Sequence, residues 1–439
     1  MGLGKTVQTL AVLQERALRG GITSVLVVAP PATLENWRHE TIAFAPAVTP
    51  ALYHGIGRSL PDDMPRVVIT SYQTLRADIT VLGAVSWDIV VFDEIQTIKN
   101  AKTKTYRAAG TIPATHRIAL SGTPVENTSL SDQAIVDILN PGILGKRTSF
   151  IRRFGAPIEK DEDPETRERL RTFLRPLILR RRKSEVARDL PERDDIPLYV
   201  ALPPEQRNVY NHIRDEYRER LREVLASESP QKRIFLVLEG LTRLRQAAID
   251  HRLVTSGMSR ASTLGSLTAS AKIAAVDELV PRVVKDGHRV LIFSQFVQFL
   301  SMLTAWADER RLAYSYLDGA MSPKQRQTEI ERFQSESGPP LFFISLRAGG
   351  TGINLTAADY VVLMDPWWNP AVEEQAIDRT HRIGQTRPVT AYRIIAADTV
   401  EEKIAALQER KRRLAADIVP DERTTLGALS TEKLLDLFS

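Results

Sequence analysis

The chain has 439 residues, of which 43% are apolar and 26% are charged, and its formal net charge is +5. This composition is typical of a soluble globular protein, and the length suits two domains better than one. The absence of cysteine excludes disulfides and cysteine-ligated zinc. The sequence shows neither a signal peptide nor an apolar run of about 18 residues, so we expect an intracellular protein that does not associate with membranes.

Residues 2–6, GLGKT, have the sequence of the second half of a Walker A loop. Glycines let backbone N–H groups surround phosphates, a lysine at this place reaches the β and γ oxygens, and the threonine hydroxyl holds Mg²⁺. The candidate nucleotide-binding residues are therefore Gly2, Leu3, Gly4, Lys5 and Thr6. Thr6 is also a candidate metal ligand.

Short apolar runs in the first 120 residues predict strands, and a polar motif follows each one. The runs are VLVVA (25–29), RVVIT (66–70), DIVVF (88–92) and HRIAL (116–120), and the motifs are PPATLENW, SYQTL, DEIQ and SGTPVEN. Continuous hydrophobicity indicates strands that are covered on both faces, as in a parallel α/β sheet. Ligands of such sheets bind beyond the carboxyl ends of the strands, so this order predicts a binding site there.

Asp93 and Glu94 end the apolar run 88–92, which is the context of a Walker B motif. We expect Asp93 to hold Mg²⁺, directly or through water, and Glu94 to orient or deprotonate the attacking water. The alternative is an acidic pair that only caps the next helix. Gln96 follows closely, and its amide is able to hydrogen-bond across to a neighbouring motif. Ser121 begins the motif SGTP, where small hydroxyl residues would link the acidic site to a nucleic-acid groove.

From about residue 146 to 254 the strand pattern stops. Residues 203–225 carry an apolar stripe at helical spacing, and residues 237–254 also read as a helix. The stripe consists of Val209, Ile213, Tyr217, Leu221 and Val224. Residues 255–270 are mostly Ser, Thr and Gly, which is typical of a flexible linker or loop.

A second α/β half follows. Its predicted strands are RVLIFSQF (289–296), LFFISL (341–346) and YVVLMD (360–365). Residues 398–414 predict a closing amphipathic helix, at whose start Thr399 and Glu402 fit a capping box. Trp367 and Trp368 suit core packing or a wedge at a lobe interface. We expect a core or interface position, because no aromatic ladder for stacking single-stranded bases accompanies them.

Two arginines stand three residues apart near the end of this half. SLRAGGTGINL (345–355) precedes DPWWNPAVEEQAIDRTHRIGQ (365–385), which contains Arg379 and Arg382. If this segment is helical, both guanidinium groups share one face. Arginines from a second lobe stabilise the charge that develops on a γ-phosphate in the transition state. With the upstream motifs, they predict a motor that hydrolyses a nucleoside triphosphate between two lobes; the alternative is a pair of surface arginines.

Positive charge is concentrated between the two halves. Residues 167–193 carry ten Lys or Arg against four Asp or Glu, centred on LRRRKSEV (179–186). The ordinary interpretation is a solvated helix face. The motor motifs favour a surface that contacts a phosphate backbone, with Arg181 and Lys183 as candidate nucleic-acid contacts.

With these residues in order, the chain resembles the Swi/Snf family of DNA-translocating ATPases in helicase superfamily two, essentially from end to end. The matching motifs are GLGKTVQ (2–8), VVAPPATLENW (27–37), ITSYQTL (69–75), DEIQTIKN (93–100), LSGTPVEN (120–127), LRRRKSEVARDLP (179–191), VLIFSQF (290–296), SLRAGGTGINL and RTHRIGQ. The last pair is the most specific, since few other families combine GGTG, DPWWNP and HRIGQ in that order. The short segment between lobes and the DE-x-Q box look bacterial or archaeal.

The resemblance implies an α/β fold of two RecA-like lobes with parallel sheets, joined through a helical insert. The expected boundaries are 1–145 for the first lobe, 146–270 for the helical insert and inter-lobe linker, 271–425 for the second lobe and 426–439 for a C-terminal tail helix. It also implies a cytoplasmic, nucleoid-associated protein in a bacterium or archaeon, or a nuclear one in a eukaryote.

The implied function is an ATP-dependent translocase or remodelling ATPase on double-stranded DNA, which uses ATP and Mg²⁺ and displaces a DNA-bound protein. By the same resemblance, Ser71, Ser294 and Thr351 are expected near DNA phosphates, and Gly352 near the nucleotide. A strand-separating DNA helicase is the alternative among enzymes.

The start of the chain departs from the family pattern. Members have a glutamine motif and a strand before the Walker loop, whereas this chain begins inside the loop. We therefore expect an N-terminally truncated chain, from an internal start or a fragment, that hydrolyses ATP poorly or not at all because the phosphate-binding loop is not anchored. A nucleic-acid-binding fragment without ATP turnover is thus a further alternative.

Overall fold

The computed structural model describes residues 2–60, 67–122, 130–160, 163–181, 183–187, 189–227, 230–255, 270–349 and 353–414. These residues fall into two compact units, with the boundary after residue 188. In the described ranges, each unit has a parallel sheet with helices packed on it, which confirms the predicted α/β class. No helix in these ranges is long and apolar enough to cross a membrane.

The first sheet contains every strand that the apolar runs predict. Its described strands are β1 (Val25–Ala29), β2 (Pro50–Leu52), β3 (Val67–Ser71), β4 (Trp87–Phe92) and β5 (Ala114–Ala119). They lie in the order β2-β3-β1-β4-β5, and all neighbours are parallel. The short strand β2 is not predicted, because three half-buried residues form no apolar run. Since the strands are parallel, their carboxyl ends meet at one edge.

Helices cover this sheet on both faces. The described helices of the first unit are α1 (Lys5–Leu18), α2 (Leu34–Phe44), α3 (Tyr72–Ala77), α4 (Ile79–Leu82), α5 (Lys104–Thr111), α6 (Leu130–Leu139), α7 (Arg147–Phe150), α8 (Ala156–Lys160), α9 (Pro164–Leu174) and α10 (Lys183–Val186). Leu10 and Leu13 of α1 and Trp37 of α2 pack on the face that contains Val27. Helices α3, α5 and α6 pack on the opposite face. Such double coverage is the reason that β1 and β3 are buried at every position and largely apolar.

The second sheet contains the three strands predicted in the second half and three that are not. Its described strands are β6 (Arg193–Val200), β7 (Val290–Ser294), β8 (Tyr314–Leu317), β9 (Leu341–Ser345), β10 (Tyr360–Leu363) and β11 (Val389–Ala396). The order is β6-β11-β10-β7-β9-β8, again with parallel neighbours. Strand β6 lies in the range predicted to lack strands. Its sequence RDDIPLYV begins with three charged residues and includes Pro197, which an exposed edge strand tolerates.

The helices of the second unit are α11 (Pro204–Ser227), α12 (Pro230–Ile249), α13 (Arg252–Thr255), α14 (Ala271–Lys285), α15 (Val297–Glu309), α16 (Pro323–Gln334), α17 (Leu346–Gly349), α18 (Pro370–Ile377) and α19 (Val400–Leu414). The predicted helices 203–225 and 237–254 correspond to α11 and to α12 with α13. Tyr217 and Leu221 of the predicted stripe are buried against Leu244 and Ile404. Trp368 lies in the same core, as predicted.

The predicted insert 146–270 does not form a unit of its own. Its first part, through residue 187, belongs to the first unit, and residues 189–255 belong to the second. The reason is packing: Phe150 and Leu170 share a core with Val136 of α6, whereas α11 and α12 pack against α19. Most of the predicted linker 255–270, and everything after residue 414, including the tail helix 426–439, lies outside the described residues.

Candidate nucleotide site and arginine turn

The Walker-type segment forms the N-terminal end of α1. Gly4 is the N-cap residue, and its φ of 69° and ψ of 39° lie in the left-handed region that glycine adopts without strain. Lys5 and Thr6 are the first helical residues, so the unsatisfied N–H groups of this helix end are available to an anion. The Gln8 side chain donates to the Leu3 carbonyl at 2.6 Å, which ties the residues before the helix to its second turn. This geometry suits the predicted phosphate cradle, whose nucleotide role stays a prediction.

Asp93 follows β4 at the carboxyl edge of the first sheet and is buried. Its Oδ2 accepts a hydrogen bond from Trp37 Nε1 at 2.9 Å, and its Oδ1 accepts from the Glu94 backbone N–H at 3.0 Å. Burial raises the pKa of Asp93 to about 6; the charge of Glu94 also raises it, whereas Trp37 and Lys5 lower it. The effect of the Lys5 charge on this carboxylate agrees with the prediction that the Walker lysine and the metal ligand serve one site.

Glu94 stands in a backbone conformation that side chains rarely adopt. Its φ is 48° and its ψ is 52°, in the left-handed region, and such strain is typical of functional sites. Its side chain makes no capping hydrogen bond to the 3-10 helix Ile95–Ile98 that follows, which argues against the alternative of a simple helix cap. The Glu94 side chain is therefore available for a hydrogen bond outside the helix cap, and Gln96 supplies one.

The partner of Glu94 is Gln96. Its Nε2 donates to Oε2 of Glu94, and its Oε1 accepts a hydrogen bond from Ser121 Oγ at 2.9 Å. Two successive side-chain hydrogen bonds therefore connect the acidic pair to the segment that follows β5. This confirms the expectation that Gln96 bonds to a neighbouring motif and identifies that motif as SGTP, of which residues 123 and 124 lie outside the described ranges.

The two serines predicted near DNA phosphates are both fully buried. Ser71 ends β3, and its hydroxyl caps α3 by accepting from the Thr74 N–H at 3.1 Å. Ser294 ends β7 and donates to Oδ1 of the buried Asp365 at 2.7 Å. Both hydroxyls therefore have local structural partners, and their contact with phosphates stays a prediction.

The remaining nucleic-acid candidates lie elsewhere. Arg181 is exposed, and Lys183 begins α10 near the end of the first unit. Thr351 and Gly352 lie outside the described residues. Arg181 is thus at the surface, where it is accessible to a phosphate backbone.

Arg379 and Arg382 lie in a turn that follows α18, so the assumption that they share a helix face is wrong. The helix ends at Ile377, whose carbonyl accepts a hydrogen bond from the buried Thr380 hydroxyl at 2.8 Å. Gly384 then takes a φ of 102°, which a right-handed helix does not allow. The Thr380 hydrogen bond ends the helix, and the backbone of Gly384 continues the chain as a compact turn.

The arginine turn, residues 378–385, is held by its last residue, Gln385, which is buried. Its Nε2 donates to the Ala358 carbonyl at 2.8 Å and to the Thr380 carbonyl at 3.3 Å. Its Oε1 accepts from the N–H groups of Thr386 and Arg387 at 2.9 and 3.0 Å. The sequence analysis gives Gln385 no role. The polar residue that closes the RIGQ motif was the available signal. Its bonds to Thr380, Thr386 and Arg387 are local, whereas its bond to Ala358 joins residues 27 positions apart, which the sequence does not reveal.

The turn also bonds to the segment that follows the glycine-rich motif. Arg379 is buried, and its carbonyl accepts from the Leu355 N–H at 3.0 Å. Arg382 is half-buried and donates to the Ile353 carbonyl at 3.2 Å. The second unit therefore brings both predicted arginines together with residues adjoining the GGTG motif.

A buried ionic group supports the strand ends of the second unit. Asp365 follows β10, and Arg245 of α12 lies 3.8 Å from its carboxylate. Burial raises the pKa of Asp365, whereas Arg245 lowers it. Arg245 also donates to the Pro366 carbonyl at 2.7 Å. These bonds order the DPWWNP turn ahead of α18, a role that the sequence analysis does not predict.

Sequence models of two known domains match the chain. The SNF2-related domain matches residues 1–253, more than half of the sequence, and the helicase conserved C-terminal domain matches residues 271–384. The chain belongs to the SNF2 family. This confirms the resemblance that the motifs carry. The Walker-type segment and Asp93 lie in the first match, and the two arginines lie in the second.

Named relatives of the SNF2-family chain include bacterial and animal proteins. A Bacillus subtilis protein with the provisional name ATP-dependent helicase/translocase YwqA is 38% identical over 100% of this chain and 48% of its own. The mouse SWI/SNF-related matrix-associated actin-dependent regulator of chromatin subfamily A member 1 is 34% identical over 96% of this chain and 41% of its own. The chain thus spans less than half the length of these relatives.

Among solved structures, the Sulfolobus solfataricus SWI2/SNF2 ATPase core in complex with double-stranded DNA is similar to this chain. The two are 35% identical, and the match covers 100% of this chain and 91% of that one with a TM-score of 0.48.

Proposed function

We propose that this SNF2-family chain is the motor of an ATP-driven translocase on double-stranded DNA. It hydrolyses ATP to ADP and phosphate and moves along the duplex without separating the strands. The observation that carries the proposal is the group at the carboxyl edge of the first sheet. There the buried Asp93 follows β4 with both carboxylate oxygens hydrogen-bonded, and Glu94 stands beside it in a strained conformation. The charge of Lys5 also lowers the pKa of Asp93. The provisional helicase/translocase name of the bacterial relative supports the same reaction.

The residues of the first unit suit a magnesium-bound nucleoside triphosphate. Mg²⁺ prefers oxygen ligands and is commonly held by one or two carboxylates together with substrate phosphates. Asp93 offers a buried carboxylate, and Thr6 offers a hydroxyl at the start of α1. When bound, Mg²⁺ would neutralise charge on the phosphate oxygens. Lys5 and the free N–H groups of α1 would bind the same phosphates.

Glu94 is proposed to orient or deprotonate the attacking water. Its hydrogen bond from Gln96 holds the carboxylate at the end of β4. Arg379 and Arg382 are proposed to stabilise the charge of the transition state, which is the role of arginines supplied to a γ-phosphate. The arginine turn that presents them is fixed by Gln385 and not by a helix.

Duplex DNA is proposed as the polynucleotide, and a protein bound to that DNA as the load to be displaced. The basic run 167–193 and the exposed Arg181 support contact with phosphates. The animal relative is named a regulator of chromatin, which is a complex of protein with duplex DNA.

ATP hydrolysis by the full-length protein tests the proposal. The rate should rise more with duplex than with single-stranded DNA and fall steeply as salt is added, since each phosphate contact releases counterions. A triplex-forming third strand should be displaced from duplex DNA in the presence of ATP, while a plain fork stays paired. Efficient fork unwinding would favour the strand-separating helicase instead, and DNA binding without any ATP turnover would favour a binding fragment.

A further inference from the structure

Two buried aromatic side chains donate hydrogen bonds to the same residue, Asp93. Trp37 Nε1 donates to the carboxylate Oδ2 at 2.9 Å, and the Tyr72 hydroxyl donates to the backbone carbonyl at 2.7 Å. Trp37 is 1% exposed and Tyr72 is 3% exposed, so neither donor exchanges its partner for water. Asp93 is therefore held at both its side chain and its backbone.

The two donors reach Asp93 from opposite faces of the first sheet. Trp37 belongs to α2 and packs in the cluster that contains Val27, whereas Tyr72 begins α3 and packs in the cluster that contains Val28. Successive residues of β1 face opposite sides of the sheet. A displacement of the helix layer on either side is thus transmitted to Asp93 through one hydrogen bond.

The resemblance places Ser71, which directly precedes Tyr72, near DNA phosphates, and both donors lie in motifs that match the family. Trp37 closes VVAPPATLENW (27–37), and Tyr72 lies in ITSYQTL (69–75). Each segment begins on a strand and runs past its carboxyl end, at the sheet edge that Asp93 also occupies. The donors therefore connect the expected polynucleotide side of this unit to its candidate metal ligand.

We propose that Trp37 and Tyr72 are positioning residues that couple polynucleotide binding to ATP turnover by setting the position of Asp93. The inference rests on the proposed function. Oδ1 is already bound by the Glu94 N–H, so the Trp37 bond fixes the second oxygen and with it the plane of the carboxylate. The Tyr72 bond fixes the peptide group next to the strained Glu94. Replacing a residue that orients a metal ligand commonly lowers metal affinity or activity by about 10- to 100-fold.

Trp37→Phe and Tyr72→Phe in the full-length protein test this coupling, because each removes a donor and keeps an aromatic ring. The chain offers matched controls in the same unit. Trp87 is 1% exposed and donates Nε1 to the Leu82 carbonyl at 2.9 Å, and the buried Tyr53 donates its hydroxyl to Asp78 at 2.9 Å. Trp87 begins β4, and Asp93 follows the other end of this strand. At about 3.3 Å per residue the two are about 20 Å apart, so the Trp87 bond does not contact the site.

The rates with and without saturating duplex DNA, the Kd for that DNA and the Mg²⁺ concentration for half-maximal activity would be measured. We expect the ratio of stimulated to basal rate to fall about tenfold in Trp37→Phe and Tyr72→Phe, while the Kd for DNA changes less than about twofold. Trp37→Phe should also raise the half-saturating Mg²⁺ concentration. Trp87→Phe and Tyr53→Phe should keep the wild-type ratio and Mg²⁺ dependence.

Several outcomes would overturn the inference. The inference would be wrong if both test variants kept the wild-type ratio of DNA-stimulated to basal ATPase rate. It would also be wrong if the two control variants lost as much of that ratio as the test variants. Either result would leave the proposed function intact. If the ATPase rate of the wild-type protein were the same with and without duplex DNA, both the proposed function and this inference would be wrong. Should Trp37→Phe fail to fold in thermal melting, Tyr72→Phe decides the question, since it removes one oxygen atom.

Discussion

Ser121 donates its hydroxyl proton to the side-chain carbonyl of Gln96 at 2.9 Å, and Gln96 passes the connection to Glu94 through its amide group. Glutamine has both a donor and an acceptor at its tip, so it bonds to a carboxylate and a hydroxyl at once. The segment after β5 and the candidate water-activating residue are therefore connected without a titrating group between them.

Gln96→Leu should remove both hydrogen bonds with little change in volume. We expect kcat to fall about 10- to 100-fold, because the Glu94 carboxylate loses the group that orients it. The KM for ATP should change little. Ser121→Ala removes the outer bond alone and should have the smaller effect. Steady-state ATPase kinetics compare the two variants, and a greater loss in Ser121→Ala would contradict the proposed order.

Glu94→Gln keeps the shape of the side chain and removes its basic oxygen. ATP should still bind, and turnover should fall by about 10² to 10⁴, which is the usual contribution of a general base. Bound nucleotide would be recovered as unhydrolysed ATP by filter binding and chromatography. Normal turnover in this variant would show that another group activates the water.

Arg382→Ala and Arg379→Ala should each lower kcat by about 10³ while ATP binding survives, because such arginines act on transition-state charge. Arg379 is buried, so Arg379→Met, which keeps more of the volume, separates loss of charge from loss of packing. Arg387→Ala is the control, because its guanidinium is exposed and lies 3.3 Å from Asp359. Equal loss of nucleotide affinity with unchanged kcat would contradict the catalytic role.

The buried Asp93 should make the folded protein less stable above pH 6 than at pH 4. Its pKa is raised to about 6 from an ordinary value of 3.8, so the folded state binds the proton more tightly than the unfolded state does. Stability therefore rises as the pH falls through 6 toward 4, and ionisation above pH 6 costs the folded state about 3 kcal/mol.

Asp93→Asn removes that cost and keeps an acceptor for Trp37. Without Mg²⁺, denaturant unfolding at pH 8 should show the variant to be more stable than the wild type by about 1–3 kcal/mol. The advantage should shrink as the pH is lowered through 6. Added Mg²⁺ should stabilise the wild type alone. A difference that stays constant from pH 8 to pH 5 would refute this account of the carboxyl group.

A buried ion pair joins α14 to α19 in the second unit. Lys272 Nζ lies 2.5 Å from Glu401 Oε2, both side chains are 0% exposed, and the ammonium also donates to the carbonyls of Met364 and Ile394. Lys272→Met would leave the buried Glu401 charge without this partner and should cost about 3–5 kcal/mol.

Denaturant unfolding measures this cost, and Lys272→Met combined with Glu401→Gln should recover part of it. The exposed pair of Arg282 and Glu278, at 3.3 Å, provides the comparison. Arg282→Ala should change stability by less than about 1 kcal/mol. Similar losses at both sites would show that burial does not govern the strength of these pairs.

The local sequence is sufficient to predict the elements whose pattern reflects burial on both sides. Strands β1, β3, β4, β7, β9 and β10 agree with their apolar runs, because a parallel strand between two helix layers is buried on both faces and is therefore largely apolar. The Walker-type segment and the pair Asp93-Glu94 were likewise predictable, since glycine next to lysine and acid after a strand are local patterns. The exposed edge strand β6 begins with three charged residues and contains a proline, and its pairing with β11 depends on residues nearly 200 positions away.

The relationships within the site were decided by tertiary structure. Nothing adjacent in the sequence places the indole of Trp37 on Asp93, 56 residues later, or the amide of Gln385 on the carbonyl of Ala358. Hydrogen bonds between distant residues depend on which strands become neighbours and on which face each helix packs. The chain by itself therefore determined which chemical groups are present and which strand ends carry them, whereas the fold decided which groups bond to one another and that Arg379 and Arg382 lie in a turn.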